Sequence, residues 1–119
     1  MPQSDTGERV TEVLEFPSRD GLWVRAIRVD YEPGGFTRGT HRHPAGAYVY
    51  VIDGILTTLY EAGPVGIAGA QYHAAGQSFM DNGGWWHNHQ NKTDKPVKYL
   101  ILHLGYPGRP DPIQKPDAE

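Results

Sequence analysis

Two histidines separated by a single residue, His41 and His43, carry the strongest chemical signal in this chain of 119 residues. In an extended strand, residues two apart point to the same face, so His41-Arg42-His43 presents two imidazoles side by side. Neutral imidazole is a ligand for zinc, copper, iron and nickel. If that face lines an enclosed cavity, the pair is half of a metal site; if the segment is a surface loop, it is two solvated histidines. The pair alone does not choose between them. The other four histidines are His73, His87, His89 and His103, and there is no cysteine, which removes thiolate metal sites, thiol nucleophiles and disulfides together.

The elements that must position these side chains read as strands. Gly (15) and Pro (10) exceed one residue in five, more punctuation than helices tolerate, and the 7 Tyr and 3 Trp suit half-buried pleated surfaces. The pattern predicts extended segments at Val10–Phe16, Gly21–Tyr31, Phe36–His43, Ala47–Ile52, Ile55–Tyr60, Gln71–His73, Gln77–Met80, Trp85–Asn91 and Val97–Leu104. Turn signals separate them: Pro33-Gly34-Gly35, Pro44-Ala45-Gly46, Asp53-Gly54 (a hairpin signal), the Gly-rich stretch from Ala62 to Gly69, and Asp81-Asn82-Gly83-Gly84. Many short strands of this kind make an all-β sandwich or barrel. The length fits one domain, residues 1–119, with a barrel core from about residue 10 to 105 and a Pro-rich tail, 106–119, unsuited to a central strand.

With the strands in place, the stretch from Gly35 to Asn91 resembles the cupins. The first cupin motif is a Gly, five residues, His-x-His, three or four residues, Glu, six residues and Gly; Gly35, His41, His43 and Gly54 fall in that register. The second is a Gly, five residues, Pro-x-Gly, two residues, His, three residues and Asn; Gly76, Gly84, His87 and Asn91 fit it. The resemblance implies a double-stranded β-helix, or jelly-roll barrel, holding one divalent metal ion (Fe, Zn, Ni or Mn) through His41, His43 and His87. Two positions depart from the pattern: Asn82 replaces the Pro, and Ala47 replaces the Glu that is an anionic ligand in many cupins. Asn is a competent turn residue. The loss of Glu leaves three neutral imidazoles, so the ion keeps its full charge and an open position for water or a ligand.

Other residues take their places around that expectation. His89, two residues from His87, is either a further ligand or a histidine at the barrel mouth; Gln71 and His73 are candidates for hydrogen-bonding the ligands; and His103 reads as a packed or rim residue. If Ala47 points inward, then Val49, Val51, Phe79 and Trp85 shape the pocket with it, although a Trp in such a sheet is as often plain core. Tyr48 and Tyr50 then face outward, covered by the N-terminal strand or by a second subunit; the segment from Val10 to Phe16 and Trp23 supply further apolar surface, and a homodimer is expected. No carboxylate stands out as a general base, and the catalytic residues stay unassigned.

The functional expectation has two branches. One is a metal-dependent, dioxygenase-like enzyme, or a Lewis-acid isomerase or cyclase, acting on a small molecule; the other is a metal- or metabolite-binding sensor module without turnover. A net charge of −3 with no basic stripe argues against nucleic acid as a partner. No apolar run approaches the ~20 residues that span a bilayer, and the first residues carry no apolar segment of a signal peptide, so the expected location is the cytoplasm.

Overall fold

The computed structural model describes residues 5–17, 23–42, 46–61, 69–81, 86–105 and 113–114. The strands are β1 (Glu8–Pro17), β2 (Trp23–Tyr31), β3 (His41–Arg42), β4 (Ala47–Asp53), β5 (Ile55–Tyr60), β6 (Gly69–Ala74), β7 (Ser78–Asp81), β8 (His87–Gln90), β9 (Val97–Gly105) and β10 (Ile113–Gln114). They form two five-stranded antiparallel sheets, β1-β2-β9-β4-β7 and β10-β3-β8-β5-β6, the double-sheet arrangement of a jelly roll. The described residues contain no helix, and so none long and apolar enough to cross a membrane.

Because each strand pairs antiparallel with its neighbours, the ends of β1, β3, β5 and β7 and the starts of β2, β4, β6 and β8 all fall at one end of the barrel, the mouth. The connections β2–β3, β4–β5, β6–β7 and β8–β9 fall at the other end, the floor. The inner face of the first sheet is a ladder of rows running from mouth to floor: Arg25–His103–Ala47, then Ile27–Ile101–Val49–Phe79, then Val29–Tyr99–Val51, then Tyr31–Val97. Period-two alternation explains this, since the odd residues of β2, β4 and β9 share one face. Below the first row it is the aliphatic core, with Val49 and Val51 fully buried.

Two expectations are corrected. Asp53-Gly54 is a corner where the chain leaves one sheet for the other, because β4 pairs with β7 and β9 while β5 pairs with β6 and β8. Gly54 has φ +79°, and a Cβ there would collide with the Pro96 carbonyl and Val97, so only glycine turns this corner. The segment from Phe36 to His43 is extended only at an isolated bridge, Phe36 with Gln90, and at His41–Arg42. In β1 a bulge between Glu12 and Leu14 shifts the register: Glu12 pairs with Ile27 and Leu14 with Ala26. The proline-rich tail contributes a two-residue edge strand, Ile113–Gln114, on β3.

The outer face of the first sheet carries an exposed apolar patch. Tyr48, Tyr50, Ile52 and Met80 are exposed, and Tyr48 and Met80 continue a cross-strand row with Leu102 and Ala26. The N-terminal strand does not cover the tyrosines; it pairs at the far edge of the sheet with β2.

Candidate metal and ligand site

The second sheet brings the histidines together. His41 of β3 pairs with His87 of β8, and His87 in turn with Tyr60 of β5, so the three form one row at the mouth. One row deeper lie His89 and Thr58, with Gln71 on β6. His41, His87 and His89 are 4 %, 0 % and 2 % exposed, an unusual burial for three imidazoles, which ordinarily sit partly in water. Their ring centroids lie 4.7 Å (His41–His87), 5.2 Å (His87–His89) and 6.2 Å (His41–His89) apart. Tyr60 closes the cluster on one side, 5.8 Å from His87, and Tyr99 on another, 5.5 Å from His89.

These side chains are oriented from behind. The Nδ1 of His41 lies 3.3 Å from the Gly39 carbonyl, which can only accept, so the contact places a proton on Nδ1 and leaves Nε2 as the lone-pair nitrogen. The Asn88 amide fixes the segment that carries this carbonyl, donating to Gly39 O at 3.0 Å and to Thr37 O. The Nδ1 of His89 meets the Thr58 hydroxyl at 3.0 Å, inside the barrel. His89 therefore belongs to the buried cluster and not to the mouth rim: strict alternation along β8 puts it on the face of His87.

Two imidazoles on one ion, each with a metal–nitrogen distance of about 2.1 Å, hold their centroids roughly 4.5–5.5 Å apart. The pairs His41–His87 and His87–His89 fall in that range, and three neutral, buried, pre-oriented nitrogen donors have the chemistry that a borderline transition metal takes. Among the described residues no group of three His, Asp or Glu is gathered about a single point; what they supply is the pair His41 and His87, with His89 alongside. His43 and Trp85 lie outside the described residues.

Ala47 is fully buried on the inner face, in the mouth row and cross-strand from His103. The position of the motif's carboxylate is therefore inward-facing and holds only a methyl group. Val49 lies one row deeper and Val51 two, beside Tyr99. Phe79 is partly buried, with the His73 imidazole stacked on it at 4.0 Å and 18° and His89 at 6.3 Å. Gln71 is exposed on the edge strand. Trp86 stands on the other side of the strand start, under the Arg42 guanidinium at 4.8 Å.

Sequence reasoning missed the wall opposite the imidazoles. His103, 4 % exposed, occupies the same row as Arg25 and Ala47. Arg25 Nε is 3.0 and 3.2 Å from the two carboxylate oxygens of Glu12, and its Nη2 also contacts Glu12. The guanidinium, first, and then the His103 imidazole hold the Glu12 carboxyl below its ordinary range. The alternation of Val97, Tyr99, Ile101 and His103 was the available signal.

A two-sheet jelly roll with imidazoles buried at its mouth defines a small β-barrel. Residues 27–103 match the family model described as the cupin domain, and the chain belongs to that family. No curated protein matches. Among solved structures, the chain is similar to an oxalate oxidase in complex with the substrate analogue glycolate (TM-score 0.72, 22% identity, covering 93% of this chain and 56% of that one). It is also similar to a cupin domain from Bordetella pertussis Tohama I (0.63, 23%, 88% and 98%). A third is the cupin domain of an XRE family transcriptional regulator from Enterobacter cloacae (0.62, 22%, 85% and 98%). The chain spans about half the length of the oxalate oxidase chain, and at these identities the likeness is one of fold.

Proposed function

We propose that this cupin binds one divalent metal ion through His41, His43 and His87 and acts on a small organic molecule inside the barrel. The observation that carries the reading is the buried pair His41 and His87, joined in register at the mouth, with a carbonyl directing one nitrogen of His41 inward. A bound ion would supply Lewis acidity or, if it is iron, a centre for oxygen chemistry. The chain's own contribution is to orient the imidazoles through Gly39 and Asn88, to exclude water with Tyr60, Tyr99 and the aliphatic rows, and to leave room above Ala47. His89 stands ready as a further donor, held by Thr58. Elemental analysis of purified protein should give one metal per chain, and His41→Ala and His87→Ala should each lower metal affinity by at least a hundredfold while leaving the β circular-dichroism spectrum intact. Unchanged stoichiometry in both variants removes the reading.

A sensor module without turnover is the second reading, favoured by one observation: the motif carboxylate position, Ala47, carries no acid–base group. Oxygen uptake by the iron-loaded protein with candidate small acids and diketones supports the enzyme; a tightly held, inert ion with no uptake supports the sensor.

We also propose that the chain is a homodimer through the outer face of the first sheet, where Tyr48, Tyr50, Ile52 and Met80 are exposed. Aromatic residues and Met at the centre of a patch are characteristic of interfaces. Light scattering at micromolar concentration should return twice the chain mass, and Tyr48→Lys with Tyr50→Lys should return a monomer. A monomer before substitution sinks the dimer.

A further inference from the structure

The mouth of the barrel has two walls, and the proposed metal site draws on only one of them. On the second sheet the row is His41–His87–Tyr60; on the first it is Arg25–His103–Ala47, at the same end of the barrel by strand direction. Of this second row, Ala47 contributes only a methyl group, His103 is a buried imidazole, and Arg25 is a guanidinium whose side chain is 26% exposed. Its neighbour Glu12 stands in the adjacent inward row of β1, with its side chain 56% exposed.

A half-buried guanidinium in a row that faces the barrel interior favours an anionic partner, and this one has a planar fork. Guanidinium and carboxylate match in the bidentate geometry that makes arginine the usual carboxylate reader. The contacts between Arg25 and both oxygens of Glu12 show the guanidinium already taking a carboxylate in this place. That carboxylate belongs to a half-solvated side chain next to a β-bulge, where alternation is already broken, so it can move into water at small cost. The arginine, less exposed, stays.

We propose that Arg25 and His103 form the wall that binds the carboxylate of a small organic acid, and that Glu12 holds Arg25 until the acid takes its place. This goes beyond the metal reading and rests on it only in taking this end of the barrel as the binding cavity. The imidazole row then faces the remainder of the ligand, and the space over Ala47 accommodates it.

The test uses benzoate and its uncharged amide, benzamide, titrated into isotopically labelled protein and followed by NMR, once after chelator treatment and once with zinc restored. Benzoate should bind in both states and benzamide at least tenfold more weakly. Arg25→Met should remove the preference for the acid, Arg25→Lys should weaken it because the fork is lost, and Glu12→Gln should tighten benzoate several-fold by removing the competing carboxylate. Both positions are at the rim, so the barrel persists in each variant. Equal binding of acid and amide, benzoate binding unchanged in Arg25→Met, benzoate binding that requires zinc, or weakening in Glu12→Gln would each overturn the proposal. The zinc-free arm separates its failure from that of the metal site, since His41→Ala should leave benzoate binding there intact.

Discussion

The two ends of this barrel are built on opposite rules. At the floor the buried polar groups are consumed by one another. Asn91 donates to the carbonyls of Glu32 (3.0 Å) and Lys95 (2.6 Å) and accepts from the backbone and hydroxyl of Thr93 (2.9 and 2.7 Å), while its own amide N–H reaches Gly35 O at 2.7 Å. Beside it the Tyr99 hydroxyl meets that of Tyr31 at 2.8 Å, Tyr31 meets Thr37, and Thr37 donates to the Glu8 carboxylate at 2.7 Å. At the mouth the buried polar groups are imidazoles, with His41 held from behind by the Gly39 carbonyl and His89 by the Thr58 hydroxyl, and beside them stands the half-buried Arg25 guanidinium. Satisfied polar groups specify a structure; side chains oriented from one side only are what a site requires. Two residues of one motif divide along this line: His87 at the mouth and Asn91 at the floor, four positions apart.

The sharpest way to break that division is to put back the carboxylate that the mouth lacks. Ala47 is fully buried on the cavity face, so Ala47→Glu places an acid among neutral imidazoles. Without metal the substitution should cost a few kcal/mol through crowding and a desolvated carboxyl, on the order of the usual penalty for a poorly accommodated core group. With metal the anion offsets the ion's charge, and affinity should rise at least tenfold. Thermal unfolding with and without zinc, together with direct titration, reads both; an unchanged affinity in a folded variant means that residue 47 does not face the ion.

A smaller effect is expected from Asn91→Ala. It removes four side-chain hydrogen bonds at a residue 1 % exposed and should destabilise the chain by about 2–3 kcal/mol. Metal stoichiometry should not change. Loss of metal in a variant that remains folded would show that the two ends are coupled.

The legible part of this molecule was the part written in period two and in motif spacing. The strands β4 and β9 alternate cleanly, and once the motif register puts Ala47 inward, alternation puts Tyr48 outward. What was not legible depends on sheet closure. Whether Asp-Gly makes a hairpin or a corner is decided by which sheet receives the next strand, and nothing local in Asp53-Gly54 records that. The bulge in β1 shifts the register after Glu12 with no Gly or Pro to announce it. His103 and Arg25 were hidden for the same reason: their meaning comes from lying in one cross-strand row with Ala47, a pairing between segments more than fifty residues apart. His89 was readable, since its two-residue spacing from His87 is the same argument that singled out His41 and His43.

The smallest expected effect lies at the floor, where one member of the hydroxyl chain ionises. Burial raises the Glu8 carboxyl above its ordinary value of 4.5, and the hydrogen bond from Thr37 only partly opposes this. The native protein therefore holds this proton to higher pH than the unfolded chain does. Between the ordinary value and the raised one the native state binds more protons, so stability is fullest below 4.5 and declines as pH climbs through the raised value. Glu12, held below its ordinary range by Arg25, acts on the other side of 4.5, where stability is lost as pH falls, and the two do not overlap. Glu8→Gln keeps an oxygen that accepts from Thr37 and has no charge to desolvate, so urea unfolding measured from just above pH 4.5 to neutrality should show a flatter stability profile than the parent, with the metal content of both unchanged. An identical decline in the variant would remove Glu8 as its source.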